Sequence, residues 1–296
     1  MRKANLAWAT LTPLFLAPHV GVEAGIYQKH GIDLTLTYTQ NGPAAMAALV
    51  GGDVQFAELA DPSVTTSALQ GAGVEWVAIN VPIPNLVLWT HPTINSVQEL
   101  KGKKIGVTTL GSVTALFANL VLQQNGLQPQ KDVQVIAIGG PAQAEAAIQK
   151  GEIDATVGDP NGPLAAEGQK ILVDMRKGYA FPQAGIAVTK TFAQKDPQLV
   201  QDFVTALVES TRRAKSDEAL FEQIDTKYLK RSDPAVVKDE VGGAIPVMND
   251  DVTPNAKEIQ TVLDMISSTN AKAKTANPQD FFDDSFAKKA LQQAAK

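Results

Sequence analysis

Short apolar runs alternate along the chain with longer stretches in which apolar residues recur every three or four positions. Leu6–Ala9, Leu34–Tyr38, Gln55–Leu59 and Glu75–Asn80 read as strands, with helical stretches at roughly 13–29, 43–51 and 62–70 between them. Gly31, Gly51, Gly52 and Gly71 stand where helix C-terminal caps are expected. Such alternation predicts an α/β chain, a mainly parallel sheet covered by helices on both faces. The segment VPIPNLVLW, 81–89, interrupts it. Pro82 and Pro84 each fix φ and remove a backbone donor, so the segment reads as a stiff crossing to a second lobe.

There the plan starts again, with strand 104–108, helix 112–124, strand 133–137, helix 141–150, strand 154–158 and a short helix near 161–168. After Tyr179-Ala180-Phe181-Pro182, the run Ala184–Val188 reads as a return strand. Beyond Asp196 the pattern is helical almost throughout, near 197–214, 216–229, 234–240, 254–268 and 283–294. That tail is expected to pack on the first lobe. The expected division is a discontinuous lobe of 1–85 plus 184–296 and an inserted lobe of 86–183, with hinges near 81–87 and 180–187.

The second lobe also repeats particular residues of the first. NGPAAMAALVGGDVQFAELADP at 41–62 is echoed by GGPAQAEAAIQKGEIDATVGDP at 139–160. Gly42-Pro43-Ala44 matches Gly140-Pro141-Ala142, and Asp61-Pro62 matches Asp159-Pro160, at the same offset of 98 residues. TLTP at 10–13 and TTLGS at 108–112 both follow an apolar run. Two such lobes would present the same kinds of loop to a shared cleft at the carboxyl ends of their strands.

Composition narrows the class. In 296 residues, 44% are hydrophobic and 19% charged, enough apolar content for packed cores. With 31 acidic against 26 basic residues, the net charge of −5 lacks the basic excess of a nucleic-acid binder, and no nucleic-acid partner is expected. No apolar run approaches the roughly 20 residues that cross a bilayer, so the chain is not expected to be membrane-embedded. The absence of cysteine excludes disulfides and thiolate chemistry. MRKANLAWAT runs almost directly into the first strand and is read as a mature chain carrying an added Met.

Enzyme motifs are missing: there is no Walker loop, GxGxxG, HExxH or GxSxG. His19, His30 and His91 have no metal-ligand spacing, and neither cofactor nor metal is expected. His19, four residues after Phe15 on one helical face, is a candidate for the cleft, with core packing as the alternative.

The loops without charge stand out. Thr10-Leu11-Thr12-Pro13 follows the first strand, and Thr109, Gly111, Ser112, Val113 and Thr114 follow the first strand of the second lobe. Ser112 can cap its helix and leave the amides of Val113 and Thr114 for an anion; it can equally be an N-cap and nothing more. Asp61 and Asp159 are each a helix start, or, if turned to the cleft, an acceptor for a ligand amine or hydroxyl that would repel an anion. Gly42, Pro43, Ala44 and Gly140 are candidates through the repeat. Phe15, Tyr179 and Phe181 are candidates for an aromatic floor or for core.

KGKKIGVTTLGSVTALFANLVLQQNGL at 101–127, PHVGVEAGIYQKHGIDL at 18–34 and NGPAAMAALVGGDVQFA at 41–57 resemble periplasmic solute-binding proteins of ABC transporters for nitrate, alkanesulfonates, taurine and thiamine-pyrimidine precursors. The resemblance implies the two-lobed periplasmic binding protein fold of type II, with a helical C-terminal extension. It implies a monomer in the periplasm that hands a small molecule to an ABC-transporter permease. It also implies an anionic group held by Gly111, Ser112, Val113 and Thr114, with Thr10, Thr12 and the Gly42-Pro43-Ala44 turn facing it. The pyrimidine binders carry a Trp-x-Pro-Asn-type run where this chain has Trp8-Ala9-Thr10-Leu11, which speaks against a thiamine precursor. The candidate loops hold no arginine, which favours a monoanion, a sulfonate or carboxylate with an apolar or aromatic body. The alternatives are pyrimidine binding, a related pyrimidine-synthesising enzyme relying on His19, and a cytosolic ligand sensor.

Overall fold

The computed structural model describes residues 1–161, 164, 167–267 and 269–294. Four strands come first: β1 (Arg2–Trp8), β2 (Ile32–Tyr38), β3 (Phe56–Leu59) and β4 (Val74–Val81). The chain then crosses and builds a second sheet from β5 (Val87–Thr90), β6 (Lys104–Val107), β7 (Gln134–Ala137), β8 (Ala155–Gly158) and β9 (Lys170–Asp174). It returns with β10 (Ala184–Thr189), which enters the first sheet between β3 and β4.

The two five-stranded sheets share one plan, β2-β1-β3-β10-β4 and β7-β6-β8-β5-β9. In each, the leading strand pairs in parallel with its two neighbours, and the fourth strand runs antiparallel to both of its own. That antiparallel strand is always the one laid down immediately after a crossing: β5 on the way out, β10 on the way back. The crossings are tied to each other, since Phe181 and Gln183 donate their amides to the Pro82 and Val81 carbonyls at 2.8 and 2.9 Å.

β3, β4, β5 and β10 are buried almost from end to end, whereas the edge strand β2 alternates buried and exposed residues at first. The expected helix 13–29 is three pieces: a 3-10 turn Pro13–Phe15, α1 (Ala17–Glu23) and α2 (Ile26–Lys29). The break lies at Gly25, whose φ of 68° a right-handed helix cannot hold. Nor is 81–89 wholly a linker, because Val87–Thr90 is β5. The segment β9 and the short helix at 190–195 were not visible in the apolar pattern. The short helix expected near 161–168 lies largely outside the described residues.

α3 (Gly42–Gly51) and α4 (Ser63–Leu69) follow β2 and β3; α5 (Val113–Gln124) and α6 (Pro141–Gln149) follow β6 and β7. The tail is helical as the pattern predicts: α7 (Lys190–Lys195), α8 (Pro197–Ser216), α9 (Glu218–Leu229), α10 (Pro234–Ala244), α11 (Ala256–Ile266) and α12 (Ser285–Ala294). α8 anchors it on the first sheet, where Phe203 stacks on Phe56 at 3.9 Å. α11 packs against both α4 and α5, so the tail also touches the second sheet's helices. Its Ile259, Val262 and Leu263 belong to an apolar cluster that runs from β4 through to Phe117 of α5.

Candidate functional site

Between the two sheets lies a cavity of about 80 Å³, room for several waters or one small molecule. The loops after β1, β3, β6 and β8 open onto it, with Asn85 and Gln183 of the two crossings at its side and Arg231 and Glu240 of the helical tail closing it. The carboxyl ends of strands in open α/β sheets are where loops of different elements converge, and the repeated plan brings two sets together here.

One pole is free of charge. Ser112 is extended (φ −88°, ψ 168°) and caps α5; its hydroxyl donates to the Thr109 carbonyl at 2.6 Å and accepts from the Ala115 amide at 3.4 Å. The hydroxyls of Ser112 and Thr114 lie 2.8 Å apart, and Thr114 Oγ1 also accepts from the Thr108 amide. With both hydroxyls occupied in their own loop, the amides of Val113 and Thr114 are left without partners among the described residues. Two amides at the positive end of a helix of this length attract an anion. Facing them, the Thr12, Ser63 and Gln183 side chains line the cavity, and Thr12 Oγ1, Ser63 Oγ and Gln183 Oε1 are buried without partners. Buried polar atoms are nearly always paired, so such orphans around one cavity mark a place for ligand or water.

The other pole is acidic. Asp159 accepts from Asn85 Nδ2 at 3.2 Å and from the Asn161 amide at 3.2 Å, and Trp89 Nε1 donates to its carbonyl at 2.8 Å. Burial pushes the Asp159 carboxyl up to about 7. Glu145 of α6 is also pushed up to about 7 by burial, against the pull of Arg231. Arg231 itself, between α9 and α10, donates to both oxygens of Glu240 at 2.9 and 3.1 Å and lies 4.0 Å from Glu145.

Of the residues singled out in the sequence, Thr10, Thr12, Phe15, Gly42, Ser112, Val113, Thr114 and Asp159 line this cavity. Pro43 and Gly111 do not; they line a separate surface groove between α3, α4 and α5. Ala44 gives its amide to the Asn41 cap at 2.9 Å, and neither it, Thr109 nor Gly140 is on the cavity wall. Asp61 is a helix cap: its carboxylate accepts from the Thr65 amide and hydroxyl and from Trp76 Nε1 at 2.9, 2.8 and 3.1 Å. Phe181 packs on Phe117, centroids 5.0 Å apart, Tyr179 lies 6.0 Å from that same ring, and neither Phe181 nor Tyr179 lines the cavity.

His19 is buried between Trp8 and Tyr228, ring centroids 4.4 and 4.5 Å away, and does not line the cavity. Burial holds its imidazole down to about 3, which keeps it neutral near pH 7.

Glu145, Arg231, Glu240, Asn85 and Gln183 were not anticipated. The three charged ones come from α6 and from the tail, far apart in sequence and indistinguishable there from solvated helix faces. Ser63 had a signal, since it directly follows the repeated Asp-Pro. Among the described residues no group of three or more Asp, Glu or His side chains is placed to hold a metal ion, and no helix is long and apolar enough to cross a membrane.

Comparison with known proteins gives the setting. Residues 11–218 match the model of the family described as NMT1/THI5 like. A provisionally named binding protein of Brucella abortus is 28% identical over 221 residues, 71% of this chain; the chain spans 66% of that relative's length. A solved structure from Bordetella bronchiseptica RB50 superposes with a TM-score of 0.90 at 21% identity, covering 100% of this chain and 99% of the other. The alkanesulfonate-binding protein SsuA from Xanthomonas axonopodis pv. citri, bound to MOPS, superposes with a TM-score of 0.77 at 17% identity, over 97% of each chain. The two-lobed architecture is the one these structures share.

Proposed function

The chain belongs to the NMT1/THI5-like family, and from that premise we propose that it is the solute-binding component of an ABC importer, working in the periplasm as a monomer. Its two lobes, 1–85 with 184–296 and 86–183, close on a small organic monoanion about hinges near 81–87 and 180–187, and the loaded protein docks on a permease. The ligand is a sulfonate or a carboxylate.

The observation that carries this reading is the pair of unpartnered amides at Val113 and Thr114, opening on a cavity whose facing hydroxyls, Thr12 and Ser63, are also unpartnered. Each of these groups can donate, and a sulfonate or carboxylate offers several oxygens to accept from them. Charge-assisted bonds to neutral donors need no basic side chain, which suits a monoanion and a receptor that must release what it binds. The alkanesulfonate complex of a structure with the same fold supports this class of ligand.

Calorimetry with short alkanesulfonates and carboxylates tests it, alongside Ser112→Asp. The substituted carboxylate still caps α5 but sets a negative charge beside the two amides, and affinity should fall at least about tenfold. An unchanged affinity in that variant would discard the assignment of the anion to α5.

A further inference from the structure

We propose that the receptor takes up a proton together with its anion, on the carboxyl of Glu145, so that affinity for the anion falls as the medium becomes alkaline. This rests on the receptor reading above and concerns the regulation of that same site.

The anion and the acidic wall share one cavity. Glu145, Asp159 and Glu240 line it together with Val113 and Thr114 of α5, and among the described residues Arg231 is the one cationic side chain on its wall. The α5 pole donates hydrogen bonds but carries no full charge, so it does not offset the carboxylates. In a site largely closed to water, a further negative charge meets repulsion that solvent would otherwise screen.

The hydrogen bonds show which carboxyl can relieve it. Glu240 takes both bonds of Arg231, at 2.9 and 3.1 Å, and Asp159 accepts from Asn85 Nδ2 and the Asn161 amide, both at 3.2 Å. Donors of this kind favour the ionised form. Glu145 has none among the described residues; its one opposite charge is Arg231 at 4.0 Å, already engaged with Glu240. The like charges acting on Glu145 are Glu240 of α10 and Glu167, while Asp225 of α9 draws on the same guanidinium. Burial already pushes the Glu145 carboxyl up to about 7 in the ligand-free protein. An anion in the same cavity moves it higher, and by reciprocity a proton there strengthens the anion's binding.

The position of Glu145 adds a second contribution of the same sign. It stands on α6, within 86–183, whereas Arg231 and Glu240 belong to the helical tail. Among the described residues, Glu145 with Arg231 is the single ion pair that joins 86–183 to the rest of the chain. Closing the lobes takes Glu145 out of water and toward Glu240, which costs less when Glu145 is protonated.

The direction of the pH effect follows. Below about 6 the ligand-free carboxyl already holds its proton and affinity is complete; as pH rises above about 7, affinity falls by at most about tenfold per pH unit for one proton.

Calorimetry on the whole protein with n-butanesulfonate, butanoate and benzoate tests this between pH 6 and pH 8.5, where none of the three probes titrates. Each titration is repeated in two cationic buffers of different ionisation enthalpy, bis-tris and Tris at neutral pH, because a sulfonate buffer would compete; the difference in heat counts the protons taken up. Binding should consume about 0.3 to 1 proton per anion near pH 7.5, and affinity should fall about tenfold or more from pH 6.5 to pH 8.5. Glu145→Gln should bind without proton uptake, its affinity changing less than about threefold over that range. Glu240→Gln, which turns Arg231 over to Glu145, should cut the uptake as well. Anion binding without proton uptake overturns the inference and leaves the anion receptor standing. Uptake that persists unchanged in both variants overturns the assignment to Glu145. Binding of none of the probes at any pH overturns the receptor reading together with the inference.

Discussion

Gly243 of α10 faces Asn161, just beyond β8, so closely that a Cβ on Gly243 would overlap the Asn161 carboxamide. The two residues belong to the tail and to the loops of the second sheet, and Asn161 lines the cavity. Asn161 Nδ2 also donates to Asp239 of α10 at 3.3 Å, so the approach is one point at which the halves of the molecule meet.

Gly243→Ala should therefore displace the Asn161 side chain and weaken ligand binding roughly three- to tenfold, with little loss of stability, since the crowded atoms are the end of one side chain. Calorimetry on Gly243→Ala and on the double variant with Asn161→Ala checks it. The second substitution should restore the space and remove any further effect of the first.

Gly185 in β10 has a harder constraint. A Cβ there would stand 2.5 Å from the Ala78 carbonyl and 3.1 Å from Ile79 Cα, both backbone of the neighbouring β4. Gly185→Ala must spread the sheet and should cost about 2–4 kcal/mol in chemical denaturation. A variant within experimental error of the parent would mean that β10 does not sit in this register.

Trp76→Phe removes the indole donor from the fully buried Asp61 and leaves the Thr65 amide and hydroxyl as its partners. The expected loss is about 1–3 kcal/mol, larger than ring trimming alone would give, and it should shrink at pH values low enough to protonate Asp61. Denaturant midpoints at two pH values separate the contributions.

The pH dependence of the ligand-free protein should be the reverse of ordinary acid denaturation over part of the range. Burial pushes Asp61 up to about 6 and Glu145, Asp159, Asp225 and Glu258 up to about 7. Each keeps its proton in the native state where the unfolded chain, at about 4, has lost it. The stability this gives is complete below about 4 and is lost as pH rises through about 6 to 7. His19, held down to about 3, acts in the other direction, costing stability as pH falls below about 6.5. Five carboxyls outweigh one imidazole, so Tm should be higher at pH 5 than at pH 8. A flat or opposite profile would show that the acidic pole is already solvated or paired.

The two-lobed plan was legible because it is written in periodicity: each parallel strand is a short apolar run, and the repeated Gly-Pro and Asp-Pro punctuation marks the same turns twice. β5 was hidden because a strand buried on both faces has no alternation, and Pro82 and Pro84 immediately before it argue for a linker. At the site, Thr12, Ser112, Val113 and Thr114 could be read from their place after a strand, as local chemistry. The difference between Asp61 and Asp159 could not, although the two occupy matched positions. Asp61 meets Trp76 side chain to side chain, whereas the indole near Asp159, Trp89 of β5, bonds the Asp159 carbonyl and leaves its carboxylate to the cavity. Glu145, Arg231 and Glu240 lay beyond reach for a different reason, since only the tertiary fold turns those helix residues toward one another.

The place of β10 between β3 and β4 orders events in time. All five strands of the second sheet lie in one unbroken stretch, 87–174, so that sheet has its own edges and centre as soon as the stretch is synthesised. The first sheet does not: β3 and β4 emerge early but have no bridge until residues 184–189 arrive, and α8 follows only after that. Contacts closed across so long a loop are paid for late. The second sheet's strands are thus all present before β10 arrives, and the cavity, which needs Gln183, Arg231 and Glu240, waits for the tail.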